Sequence, residues 1–328
     1  MRDFMRIDTL PVLILNPHSR CNCRCAMCDI WKGDGVQEIS PGDLERQLGS
    51  IDRLQVQWVV LSGGEPLMHS GLWRITTMLR ERHIRITLLS SGLLLDRHAA
   101  SIVKHVDDLI VSLDGPASIH NKIRGIPRAF EVMAAGVARI RSLAPDFRIG
   151  GRCTVQHSNF GHLTATVDAA HDLGLTSISF LAADLESSAF RRPGGWPPEK
   201  RHEIGLTSEE VSHLESEVEA VIARGDCGRF VSESAAKLRK IVRHFRCHCG
   251  TAKPVAPLCN APWASAVVEA DGAVRPCFFH PPIGHLNSGK PLDEILNGPE
   301  AVAFRGTLDV ATNPICQKCV CSLNWKAA

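Results

Sequence analysis

The chain has 328 residues, enough for one large α/β domain with a small appended one, and 37 Lys plus Arg against 35 Asp plus Glu leave a formal charge of +2. That balance excludes the basic footprint of a nucleic-acid or anionic-membrane binder. No stretch has the length and apolarity of a signal peptide or membrane span, so a cytoplasmic setting is expected, and 13 cysteines there point to metal rather than a disulfide scaffold.

In chain order, the apolar run 12–15 reads as a buried strand ending at Pro17. Beyond it, Cys21-Asn22-Cys23-Arg24-Cys25-Ala26-Met27-Cys28 sets four thiols in eight residues, on a loop at the strand's carboxyl end, where α/β barrels place their chemistry. Ser40 followed by Pro41 reads as an N-cap with proline at N1, opening a helix toward Leu54. Further apolar runs at 58–61, 84–89, 109–113, 148–155 and 177–183 alternate with helical patterns at 72–82, 97–106, 129–143 and 163–173. Such alternation is the mark of βα units around a parallel sheet. Six units predict an α/β fold, a partial (β/α)6 TIM-like barrel that stays open.

After Asp184 the pattern breaks into the turn-rich stretch 190–198, expected to be a loop or lid. Thr207 with Glu210 forms a capping-box signal for a helix to about Arg224, and a basic helix follows over 234–245. From Pro254 the sequence turns to short strands, Gly, Pro and Cys, a separate small module. The expected division is 1–225 barrel, 226–253 bridging helix and linker, and 254–328 cysteine-rich module.

Without Cys23 the opening loop reads Cys-x3-Cys-x2-Cys. Three thiolates on one loop can hold three irons of a [4Fe-4S] cluster and leave the fourth open to a ligand; zinc sites also use such spacings. With this loop the sequence resembles the radical S-adenosylmethionine (SAM) superfamily, whose open iron takes the amino and carboxylate groups of SAM. The resemblance implies Cys21, Cys25 and Cys28 as ligands, with Cys23 a bystander. Met27 stands where that family often has an aromatic against adenine, a place a polarizable thioether can fill.

Three further stretches support the resemblance. Gly63-Gly64-Glu65-Pro66 is similar to the glycine-rich motif whose backbone and carboxylate receive the methionyl ammonium. Ser112-Leu113-Asp114-Gly115-Pro116 and the segment from His120 to Gly125 resemble a region in which Ser112 and Arg124 would approach the SAM carboxylate. Arg152 is a second candidate for that salt bridge, and a structural ion pair is the alternative for each arginine. Strand alternation places Gly150, Arg152, Thr154 and Gln156 on a polar lumen face, and Ile149, Cys153 and Val155 toward the helices, so Cys153 is expected to be a packed core thiol. The same parity groups Ser112 with Asp114, and Ser177 with Ser179 and Leu181.

At the far end, Cys259-x12-Gly272-x4-Cys277 is followed by Cys316-x2-Cys319. Four such thiolates make a closed tetrahedral set that serves zinc or iron alike. The run resembles the SPASM and shortened twitch modules that follow radical SAM barrels. A single auxiliary [4Fe-4S] cluster on Cys259, Cys277, Cys316 and Cys319 is implied, because Cys321 leaves too few later cysteines for the full SPASM pattern. Cys247-His248-Cys249 lacks the usual metal spacing and is read as ordinary thiols. His280 reads as a satisfied loop histidine or as one facing substrate near the auxiliary cluster; Trp196 with Arg191 and Arg192 reads as a surface turn or a substrate cover. The absence of Tyr removes any tyrosyl radical or tyrosine acid.

By resemblance, an electron entering the first cluster splits SAM to methionine and a 5′-deoxyadenosyl radical, which removes hydrogen from substrate. The implied cofactors are SAM and two [4Fe-4S] clusters, and the implied partner is an electron donor such as flavodoxin or ferredoxin. The expected activity is a radical SAM oxidoreductase that dehydrogenates or epimerises a small polar metabolite in a biosynthetic pathway. Only about ten residues precede the first strand, which leaves no place there for a leader-peptide domain and is why a metabolite is preferred. A peptide maturase making a crosslink or epimer is the alternative, and a metal-stabilised electron-transfer or binding protein the alternative of another class. No motif names a catalytic base. Anaerobic reconstitution should give about eight irons per chain, with 5′-deoxyadenosine formed on adding dithionite and SAM; Cys316→Ala with Cys319→Ala should remove half the iron. Stoichiometric zinc without SAM cleavage would exclude the radical reading.

Overall fold

The computed structural model describes residues 5–326. Six strands follow one another with helices between them: β1 (Val12–His18), β2 (Trp58–Gly63), β3 (Arg85–Ser90), β4 (Asp108–Ser112), β5 (Arg148–Val155) and β6 (Ser177–Ala182). Each pairs in parallel with the next, so the βα alternation yields the partial (β/α)6 barrel. The strands lie within a residue or two of the apolar runs, except that β1 continues through Pro17 to His18. The β1–β2 register shifts between Leu15 and His18, so the proline withholds its N–H where the ladder is already broken.

The outer layer contains α1 (Pro41–Arg53), α2 (Leu72–Arg80), α3 (Leu95–His105), α4 (Ala117–Arg124), α5 (Ala129–Leu143) and α6 (Leu163–Asp172). Helix α1 begins at a capping box, Ser40 with Asp43, behind Pro41, as expected. Helix α4 was not expected. It is eight residues long, has no side-chain N-cap, and ends at Gly125, which takes φ +63°. The turn-rich stretch runs into α7 (Pro198–Ile204), and α8 (Ser208–Ala223) starts at the Thr207–Glu210 capping box before α9 (Ala235–His248). Among the described residues no helix is long and apolar enough to cross a membrane.

The carboxyl-terminal segment keeps its cysteine-rich character but is not set apart as a sheet of its own. Strand β7 (Ser265–Val268) pairs in parallel with β1, Leu13 opposite Ala266, and the antiparallel β8 (Ala273–Arg275) and β9 (Gly284–His285) complete the sheet order β6-β5-β4-β3-β2-β1-β7-β8-β9. All four residues of β7 are buried, as a strand covered on both faces requires. The first strand of the barrel therefore lies inside the sheet, with Val59 of β2 and Ala266 of β7 flanking Leu13. Beyond β9 the chain docks back on α1, where Asp293 accepts from Ser50 Oγ at 2.7 Å and from Arg53. Leu13 is 1 % exposed, so Leu13→Ala should cost about 2–5 kcal/mol, seen as a lower denaturant midpoint at unchanged slope.

Candidate functional site: two thiolate centres

The cysteine loop leaves β1 at the barrel's carboxyl-end face and is held by backbone on two sides. Gly64 N and Glu65 N donate to His18 O and Arg20 O, while Arg24 N and Ala26 N donate to Arg124 O and Ile123 O at the end of α4. The glycines of the Gly63-Gly64 motif make the first approach possible. A Cβ on Gly64 would lie 2.0 Å from Arg20 O, and Gly63 has φ +97° with Asn16 in the way of any side chain.

Behind the loop stands a buried ion pair. Arg124 Nη2 meets Asp114 Oδ2 at 2.6 Å, and Arg124 Nη1 reaches Cys25 Sγ at 3.4 Å. Asp114 is wholly buried; its Oδ1 accepts from Thr154 N, and its carbonyl accepts from Asn159 Nδ2. Burial opposes the charged guanidinium, but Asp114 and the neighbouring thiols outweigh it and raise the Arg124 pKa. A hydrogen bond with Cys23, with Arg124 assisting against burial, draws the Cys25 thiol down to about 6. Bonding to Cys21 and Cys25 holds the Cys23 thiol well above its ordinary value, and burial pushes Cys28 up to about 12. Cys28 also feels Cys25 and Cys21.

The other expected contacts fall in distinct places. Glu65 is wholly buried, its oxygens accepting from Leu67 N, Ser91 N and Ser90 Oγ, and burial raises its pKa. Its carboxylate is therefore already engaged by the protein. Ser90 and Ser91, which end the third apolar run, are partners that the motif alone did not reveal. Met27 is partly buried against the core. Ser112, Arg152 and Ser179 face one another in register across β4, β5 and β6, all half-buried, with Arg152 Nε donating to Ser179 Oγ at 3.3 Å. Among the described residues Arg152 has no ion pair, whereas Arg124 is committed to Asp114. Gln156, buried at the end of β5, has both amide atoms without a hydrogen-bond partner among the described residues. Cys153 is buried and accepts from Asn159 Nδ2 at 3.5 Å.

The 184–198 segment is a packed strap. Trp196 Nε1 donates to Asp29 Oδ2 at 2.8 Å, and the Arg192 guanidinium lies 4.2 Å from the Trp196 ring centre. Arg192 is itself paired with Asp184 at 2.5 Å. Neither Trp196 nor Arg192 is a surface residue, each being buried. The strap also reaches the carboxyl-terminal segment, where Glu186 pairs with Lys318 and lies 3.3 Å from His248. Beside that contact is a cavity of about 300 Å³ whose lining includes His244, Cys247, His248, Lys318 and Cys319. Burial takes His244 down to about 4.

The second thiol group is gathered by long-range bonds. Asn260, next to Cys259, donates from its backbone to Leu323 O and exchanges side-chain bonds with Trp325, which brings the two ends of the module together. Asn313 caps a short helix and receives Cys316 N at 3.1 Å. Cys259 and Cys277 both act electrostatically on Cys316 and Cys319, with burial the main cause that raises Cys316 to about 11 and raises Cys319 further. Cys321 is exposed, and its carbonyl accepts from Cys319 Sγ at 3.0 Å. His280 is buried with Nε2 3.5 Å from Cys316 Sγ, and burial lowers its pKa.

Among the described residues no three His, Cys, Asp or Glu side chains stand close enough to hold a single metal ion. A cluster asks for something different, one thiolate for each of several irons, and both groups offer thiols only. The donor chemistry fits iron–sulfur groups. These features define an iron–sulfur protein with two thiolate centres on a partial barrel.

The sequence profile of the radical SAM superfamily matches residues 15–176, and that of the SPASM iron-sulfur cluster-binding domain matches 259–320. The chain belongs to the radical SAM superfamily and carries a carboxyl-terminal SPASM region; its cofactors are SAM, the [4Fe-4S] cluster of the first domain and iron–sulfur chemistry in the second. It is 27% identical over 177 residues to the Fe-coproporphyrin III synthase of Methanosarcina barkeri, covering 53% of this chain and 44% of that one. It is 27% identical over 109 residues to the mycofactocin maturase MftC of Mycolicibacterium smegmatis, covering 32% and 28%. The chain thus spans under half the length of these curated relatives. Streptococcus suis SuiB, solved with its precursor peptide SuiA, shares the fold at a TM-score of 0.68 and 12% identity, covering 97% of this chain and 73% of SuiB.

Removing one partner of the buried pair leaves a charge uncompensated, so Arg124→Ala should cost about 3–5 kcal/mol. In denaturant titrations, Asp114→Asn with Arg124→Gln together should cost clearly less than the sum of the two single changes.

Proposed function

We propose that this protein is a radical SAM oxidoreductase that dehydrogenates a small polar metabolite held in the barrel lumen. The observation that supports this reading is Gln156, buried at the end of β5 beyond the polar row Ser112–Arg152–Ser179, with both amide atoms free of a hydrogen-bond partner among the described residues. When bound, SAM on a reduced [4Fe-4S] cluster supplies a 5′-deoxyadenosyl radical that takes a hydrogen atom from substrate, and an auxiliary [4Fe-4S] cluster supplies an electron acceptor.

Cys21, Cys25 and Cys28 would hold the first cluster, and Cys259, Cys277, Cys316 and Cys319 the second. Arg152, with Ser112 beside it, is the cation available to the SAM carboxylate; Arg124 is instead held by Asp114 and donates directly to Cys25. Gly63 and Gly64 would offer backbone to the methionyl ammonium, Glu65 would add negative potential behind them while bound to Ser90 and Ser91, and Met27 would meet adenine. Gln156 offers a buried donor and acceptor for substrate or cofactor.

Oxidation is favoured over epimerisation because returning hydrogen to a substrate radical needs a thiol in the lumen. Cys153 is on the helix-facing side of β5, wholly buried and bonded to Asn159. Cys259, Cys277, Cys316 and Cys319 would hold the cluster that could accept the electron of such an oxidation, and a proton acceptor in the lumen or on the substrate would take the proton. A ferredoxin- or flavodoxin-type donor would reduce the first cluster. The relative named as an Fe-coproporphyrin III synthase supports a small-molecule substrate; the relative named as a maturase supports a second reading, peptide modification.

Reduced protein given SAM and deuterated polar metabolites should transfer deuterium to 5′-deoxyadenosine and release a product two hydrogens lighter than its substrate. Label transfer only from peptides, or an epimer of unchanged composition, would overturn the reading. Losing a charge-assisted bond worth about 1.5–3 kcal/mol, Arg152→Ala should weaken SAM binding by roughly tenfold to a hundredfold while retaining iron.

A further inference from the structure

His280 lies in the middle of the loop between β8 and β9, three residues after Cys277, and both its ring and its backbone are held. It packs edge-on against Phe304 at 4.8 Å between ring centres, while its carbonyl accepts from Arg275 Nη1 at 3.0 Å. Only 4% of the residue is exposed, and Nε2 stands 3.5 Å from Cys316 Sγ. A thiolate that holds iron carries no proton, so in such a contact the ring nitrogen is the donor and sulfur the acceptor. Four thiolates already fill the coordination of a closed cluster, which leaves the imidazole outside it.

We propose that His280 donates its Nε2–H to Cys316 Sγ and so raises the reduction potential of the auxiliary cluster. This rests on the assignment of Cys259, Cys277, Cys316 and Cys319 to one cluster. A hydrogen bond to a ligand sulfur draws charge from the cluster and favours the reduced state, which carries one more electron. A centre poised this way is the better acceptor for an electron from an oxidised substrate. The first loop has a related contact, Arg124 Nη1 to Cys25 Sγ at 3.4 Å, but there the donor is a permanent cation held by Asp114. His280 is therefore a positioning residue acting through Cys316.

The test uses the full chain carrying Cys21→Ala, Cys25→Ala and Cys28→Ala, so that only the auxiliary site can load. Anaerobic reconstitution should leave about four irons per chain, and a potentiometric titration followed by electron paramagnetic resonance gives the midpoint. His280→Leu should retain the iron and shift the midpoint to a more negative value, and His280→Gln, which keeps an N–H donor, should recover part of the shift. In the wild-type chain, reduced protein with ¹⁵N in its histidine rings should show a weak nitrogen coupling to the cluster, which His280→Leu abolishes. Four irons with an unchanged midpoint, or a coupling of the strength of a direct nitrogen ligand, would overturn the role of His280 alone. Absence of iron from the triple-cysteine variant would overturn the cluster assignment and the role of His280 together.

Discussion

The Asp114–Arg124 ion pair is the constraint on which the first site depends. One charge comes from the turn after β4, the other from the last residue of α4, and the guanidinium between them rests on a cysteine near the middle of the thiol loop. Both charges are buried, so each is tolerable only with the other in place. The loop, the turn and the helix end must consequently adopt their positions together. The backbone bonds from Arg24 and Ala26 to the same helix end give this requirement a second anchor that does not depend on charge.

The strap joins that site to the carboxyl-terminal segment. Trp196 is tied to Asp29 on the first loop and Glu186 to Lys318 between two cysteines of the second group, and between them in the chain stands buried Arg192, paired with Asp184. One short irregular segment thus touches the surroundings of both thiol groups. Its turns supply the shape, and its two buried arginine and tryptophan side chains supply the rigidity, stacked as cation on ring.

The six barrel strands and their parallel succession were legible because each rests on a local pattern of apolar runs with turn signals, whereas the return of β7 to the edge of β1 was not. The polar row of Ser112, Arg152 and Ser179 was legible in part, since alternation assigned each residue a face but could not align the strands. Contacts between distant segments were not legible. Trp196 meeting Asp29 spans 167 residues, and nothing local to either residue announces the other. Helix α4 was missed because its short segment lacks a capping side chain and reads as motif rather than as helix, although Gly125 was a stop signal in plain view. The commitments of Arg124 and Glu65 within the protein were hidden because a motif specifies residue types and not their partners: Asp114 stands on the turn after β4, and Ser90 and Ser91 at the end of β3.

The place of β1 inside the sheet bears on how the chain is made. Its neighbour β2 follows within about 40 residues, but β7 emerges roughly 250 residues after β1, a delay of some 10–50 s at ordinary ribosomal speeds of about 5–20 residues per second. Throughout that interval the strand that leads into the cysteine loop presents one unpaired hydrogen-bonding edge, the kind of surface that recruits other nascent chains. Closure of the sheet and gathering of the second thiol group belong to the same late stretch of translation, so the barrel, whose last strand β6 ends at Ala182, keeps an open edge until β7 emerges at Ser265.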